Sequence, residues 1–97
     1  MNKLFLDDIR EAPDNSWNVV RSYDEFINYI EENGAPDFIS FDHDLGEATE
    51  KTGYDCAKWL VANDYKIKDF DSHSANPPGR ENIIRLLQNW KKHKEGK

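Results

Sequence analysis

Carboxylates and histidines gather at three places in this chain, each time beside a short apolar run. Asp7 and Asp8 follow Leu4-Phe5-Leu6; Asp42, His43 and Asp44 follow Phe38-Ile39-Ser40-Phe41; and His73 stands in the polar end of the run Phe70-Asp71-Ser72-His73-Ser74. Carboxylates delivered side by side repel one another and titrate upward unless a cation lies between them. Mg²⁺, or another divalent cation that favours oxygen, is the simplest group to hold Asp7, Asp8, Asp42 and Asp44 together. His43 and His73 bring two imidazoles, a side chain suited to proton transfer at physiological pH, so one can take a proton while the other gives one.

A second set of residues suits an anion. Asn76-Pro77-Pro78-Gly79 reads as the start of a helix, where backbone amides make an anion seat. Ser74 precedes it, Gly79 permits close backbone approach and Arg80 can clamp a phosphate at two points. Each residue also has a plainer reading. Asp7 and Asp8 can turn the chain after a strand, Arg10 can neutralise them without a metal, and an isolated histidine is more often structural than catalytic. Asp44 lies two residues beyond Asp42, as a further ligand or as the carboxylate that orients a histidine.

Parallel strands that deliver such groups to one edge are read as follows. Residues 3–8 and 37–41 are apolar on both faces apart from Ser40, as in the middle of a parallel sheet. Residues 9–16 carry Pro13, Asp14 and Asn15 and turn, and 17–20 form a second strand. Ser22 with Glu25 makes a capping box before a helix whose stripe is Tyr23, Phe26, Ile27 and Ile30, stopped by Gly34 and Pro36. A loop from Asp44 to Lys51 precedes a helix capped by Thr52 and Asp55, with Cys56, Ala57, Leu60 and Val61 as its apolar members. Residues 66–70, with alternating lysines, suit an edge strand. The last helix runs to about His93, with Ile83, Ile84, Leu87 and Trp90 on one face.

The order strand, strand, helix, strand, helix, strand, helix predicts an α/β fold with a four-stranded, mostly parallel sheet in three layers. The eight residues between the first two strands reach at most ~27 Å, enough to return along a five-residue strand of ~17 Å without a helix. Right-handed crossovers place the two middle helices on one face. The last helix is then expected on the other face, with Ile84, Leu87 and Trp90 against Leu4, Phe5 or Leu6; a homodimer burying that face is the alternative.

Composition narrows the partners. Ninety-seven residues make one domain, residues 1–97, and the net charge of −6 argues against surface-wide binding to nucleic acid or an anionic membrane. Lys91, Lys92, His93 and Lys94 read as charges that offset a helix dipole. A single cysteine, Cys56, excludes an internal disulfide and fits a buried thiol in a cytoplasmic protein. No apolar run approaches the ~18 residues of a membrane span.

The paired aspartates ending the first strand and the aspartate ending the third resemble the acidic pocket of response-regulator receiver domains, a flavodoxin-like, Rossmann-like fold. There the carboxylates, here Asp7, Asp8 and Asp42, hold Mg²⁺, and the single aspartate accepts a phosphoryl group. The longer string LFLDDIREAP, ISFDHDLG, TGYDCAKWL and HSANPPGREN resembles the receiver-like domains named for cyclic-phosphate processing, from Leu4 to about Trp90. The chain departs from an ordinary receiver in lacking the first helix and the last strand–helix unit, whose strand bears the receiver lysine. It adds His43 after the acceptor aspartate and His73 near the switch position. The resemblance implies a hydrolase opening a cyclic phosphate of a nucleotide or RNA end. Its cation would neutralise nonbridging oxygens, with His43, His73 and Asp42 as catalytic groups and Ser74, Asn76, Gly79 and Arg80 on the phosphate. A receiver-like signalling or phosphate-binding module without turnover is the other reading. The expected partner is a small phosphorylated nucleotide or cyclic-phosphate ligand, bound by a monomer or homodimer.

Overall fold

The computed structural model describes residues 2–43, 45, 51–65, 67–74 and 76–95, with side chains as far as residue 92. Asp44, Lys66, most of the loop before Lys51 and the side chains of His93 and Lys94 lie outside the described residues. The strands are β1 (Lys3–Leu6), β2 (Trp17–Val20), β3 (Phe38–Phe41) and β4 (Asp69–Ser72), and the helices are α1 (Tyr23–Asn33), α2 (Gly53–Ala62) and α3 (Pro77–Glu95). The strands pair in parallel throughout, in the order β2-β1-β3-β4. The four-stranded parallel α/β sheet expected from the element order is therefore present. The helix-free return from β1 to β2 does yield a parallel pair.

Capping explains where the first two helices begin. The Ser22 hydroxyl accepts from the Glu25 amide, while the Glu25 carboxylate accepts from the Arg21 amide, one residue earlier than a capping box would reach. At α2 the box is complete, with Thr52 and Asp55 exchanging side-chain and backbone bonds. Such caps are worth about 1 kcal/mol each.

Pleating sends Leu4, Leu6, Val20, Ile39 and Phe41 to one face, where they meet Phe26 and Ile30 of α1, Cys56, Ala57 and Leu60 of α2, and Ile83 and Leu87 of α3. At about 25 cal/mol per Å² of apolar surface, this shared core is the main source of stability. Burial, followed by the charge of Asp55, pushes the Cys56 thiol up, so it stays protonated core filler. The expected third layer is corrected here: α3 packs on α2 and β4, on the same face as the other helices. Its deeply buried positions are Ile83 and Leu87, one helical turn apart, whereas Ile84 and Trp90 are only half-buried. A stripe centred on Ile83 and Leu87 leaves the helix nothing to offer the opposite face.

That opposite face covers itself with aromatic rings. Phe5 is 3% exposed. It lies under Trp17 at 5.7 Å edge-on and His73 at 4.3 Å face to face, while Trp17 meets Phe38 at 5.6 Å. The Lys3 ammonium sits 4.6 Å from the Trp17 ring. Such ring contacts add about 0.5–1.5 kcal/mol each beyond their buried area.

Two strand limits differ from expectation. The first strand stops at Leu6, because the Asp7 carboxylate turns back to accept the amides of Ile9 and Arg10. The last strand is Asp69–Ser72, not 66–70: Ile67 is buried ahead of it, and the inward alternation is carried by Phe70 and Ser72. Among the described residues, no helix is long and apolar enough to cross a membrane.

Candidate functional site

The site follows from strand register. Leu6, Val20, Phe41 and Ser72 form one row across the sheet, so Asp7, Arg21, Asp42 and His73 leave it side by side. The ladder continues through them, with amide bonds from Asp7 to the Val20 carbonyl (3.2 Å), Asp42 to Leu6 (2.9 Å) and His73 to Phe41 (3.0 Å). Functional groups at this carboxyl edge are what an open parallel sheet provides.

Asp7 is 1% exposed and fully engaged. One oxygen accepts the Ile9 and Arg10 amides at 3.0 and 2.8 Å, and the other lies 2.9 Å from Nε2 of His73 and 3.8 Å from the Arg10 guanidinium. Burial pushes this carboxyl up, but the two amides and His73 outweigh it and hold Asp7 below the ordinary carboxylate range. Asp42 behaves in the opposite way. Burial, and then the nearby charge of Asp7, push it above that range.

His73 is 19% exposed and held from four sides. Phe5 stacks on the ring, Asp7 faces Nε2, the Ser40 hydroxyl lies 2.7 Å from Nδ1, and Arg10 donates to the backbone carbonyl at 3.1 Å. His43 is half-buried, with its ring against Gly79 at the start of α3, where any Cβ would strike it. Gly53 plays the matching part below: its amide donates to the His43 carbonyl at 2.7 Å, and a Cβ there would run into the Asp42 carbonyl. Both helices can approach the Asp42-His43 segment this closely only through glycine.

The predicted residues thus divide into two groups. Ligand atoms of Asp7, Asp42 and His73 lie within 4.8 Å of one another. Asp8 is half-buried beside them and adds to the charge that raises Asp42, while Asp44 lies outside the described residues. Ser74 and Arg80 instead line a cleft along α3 with Pro77, Ile84 and Arg85, which none of those three residues lines.

The expected backbone anion seat is not formed. Pro77 and Pro78 have no amide hydrogen, the Gly79 amide donates to the Asn76 side chain (3.3 Å), and the Arg80 amide donates to the Asn76 carbonyl (2.9 Å). Asn76 is the cap of this helix, which leaves side chains such as Arg80 and Ser74 to meet an anion.

Two residues of the site were not anticipated. Ser40 was legible only as the single polar residue in an apolar strand. Arg21 donates to the Asp7 and Arg10 carbonyls at 3.1 and 2.6 Å, and so pins the helix-free β1–β2 loop. Nothing local in the sequence marks that role.

A two-carboxylate pocket at the carboxyl edge of a β2-β1-β3-β4 parallel sheet defines a receiver-like domain. The family model for the cyclic-phosphate processing receiver domain matches residues 2–89, and the chain belongs to that family. No curated protein and no solved structure matches it.

Proposed function

We propose that this domain hydrolyses a cyclic phosphate, on a nucleotide or an RNA end, at the pocket formed by Asp7, Asp42 and His73. The observation that carries the reading is the close cluster of Asp42, the buried Asp7 and His73, whose ligand atoms lie within 4.8 Å of one another, and burial and the Asp7 charge push the Asp42 carboxyl up. Two carboxylates, one destabilised by the other, suit a divalent cation, and Asp42 is its natural principal ligand because Asp7 is already bonded to two amides and an imidazole. Mg²⁺ would be held by the oxygens of Asp42 and Asp7, with the charge of Asp8 nearby. A cation held there would neutralise the nonbridging phosphate oxygens and lower the pKa of bound water.

The chain's own side chains supply the remaining parts. His43 stands next to Asp42 in the sequence, and His73 faces Asp7 and Asp42, so this reading takes one imidazole as proton donor and the other as acceptor. Arg80 and Ser74 line the neighbouring cleft, which suits the remainder of an anionic ligand. The test is chromatographic: 2′,3′-cyclic nucleotides, 3′,5′-cyclic nucleotides and an RNA with a 2′,3′-cyclic end are incubated with the protein, with and without a chelator. Conversion of at least one to a monoester, abolished by chelation, is expected. Binding without conversion across the panel would replace the hydrolase reading with a phosphate-binding module.

A further inference from the structure

Ser40 interrupts the otherwise apolar β3 and is 8% exposed, although none of the described helices packs on its face of the sheet. What covers it is His73. The imidazole lies flat on Phe5, with ring planes 8° apart, and each ring nitrogen meets one partner: Nδ1 the Ser40 hydroxyl at 2.7 Å and Nε2 the Asp7 carboxylate at 2.9 Å.

The chemistry of these partners fixes the hydrogens. An ionised carboxylate only accepts, and Asp7 already accepts two backbone amides, so Nε2 must carry a hydrogen whether the ring is neutral or charged. Nδ1 is then a lone pair in the neutral ring, receiving the Ser40 O–H, and an N–H in the cation, donating to the Ser40 oxygen. A hydroxyl serves both states by rotating. Alanine serves neither, and threonine keeps the group.

We infer that Ser40 is a positioning residue that fixes His73 with its Nε2–H turned toward the acidic pocket, so that His73 acts there as a hydrogen-bond donor and not as a ligand to a cation. The hydrogen shared with Asp7 is the one offered to an incoming phosphate oxygen, a role that rests on the phosphoesterase reading. Metal-ligating imidazoles bind through a lone pair and donate from the other nitrogen, which is the reverse of the arrangement at His73. The pocket's cation ligands are then carboxylates alone.

Two-bond ¹H–¹⁵N correlation spectra of the labelled full chain, recorded above the histidine titration range, test this without substrate. His73 should show a protonated Nε2 and an unprotonated Nδ1, unchanged when Zn²⁺, a strong imidazole binder, is added. Ser40→Thr should preserve that pattern, and Ser40→Ala should add a population with the proton on Nδ1. A proton on Nδ1 in the wild type, its transfer to Nδ1 on adding Zn²⁺, or an Ala variant identical to wild type would overturn the inference. If Ser40→Ala fails to fold, the Thr variant and the wild-type zinc titration decide. Absence of turnover on every cyclic phosphate would remove the phosphoesterase reading while leaving this readout intact.

Discussion

Asp7 and Asp42 leave neighbouring strands side by side, each one residue beyond the paired Leu6 and Phe41, yet their surroundings treat them oppositely. Asp7 accepts two amides and faces an imidazole, and it is held below the ordinary carboxylate range. Asp42 is raised by burial and by the charge of Asp7. A carboxylate whose bonds are all made within the protein stabilises the fold. One left with an unfavourable charge has binding energy still to gain, and that is the usual condition of a functional group. The comparison makes Asp7 chiefly a framework group of the pocket and Asp42 chiefly its chemical one.

The largest effect should come from Asp42→Asn, which is expected to lower cyclic-phosphate turnover by roughly 10³-fold, the scale of losing a catalytic or cation-binding carboxylate. Equal turnover in wild type and variant would remove the chemical role from β3. Asp7→Ala should act mainly on stability, lowering the unfolding free energy in urea by about 3 kcal/mol, since it strands two amides and an imidazole beside a buried cavity. Gly53→Ala should cost about 2 kcal/mol by forcing α2 away from the Asp42 carbonyl. A variant as stable as wild type would show that the segment yields freely.

Acid titration sharpens the contrast further, because the two carboxylates carry opposite signs. The folded pKa of Asp7 lies below its reference value of 3.8, so its stabilisation is present above that value and is lost as pH falls through the folded pKa. Asp42 lies above 3.8, so its protonated form is favoured on folding, and that contribution is lost as pH rises through the raised pKa. Urea midpoints measured against pH should therefore show Asp42→Asn gaining on wild type as pH rises above about 4, and Asp7→Asn losing its deficit as pH falls below it. The same sign for both variants would contradict the division of labour.

Much of this was legible from the residues. Consecutive apolar residues in β1 and β3 marked central parallel strands, and the acids and histidine after them marked the edge where a site forms. What escaped was whatever depends on three-dimensional register. Ser40 bonds a histidine 33 positions away, and Arg21 reaches back 14 positions to the Asp7 carbonyl. The side on which α3 packs turned on whether Ile83 or Ile84 led its stripe, a rotation of about 100° that spacing alone does not resolve. The anion seat failed for a reason present in the sequence: two prolines remove two amide hydrogens, and an asparagine at the cap takes the next.

The central claim is tested most directly by a ³¹P NMR time course of wild type and Asp42→Asn side by side, with Mg²⁺ and a mixture of 2′,3′-cyclic and 3′,5′-cyclic nucleotides. Ring opening moves the phosphorus resonance whichever bond breaks. A new monoester signal with wild type, Mg²⁺-dependent and lost in the variant, is the predicted result; a monoester signal that grows equally with both proteins would contradict the assignment of the chemistry to Asp42.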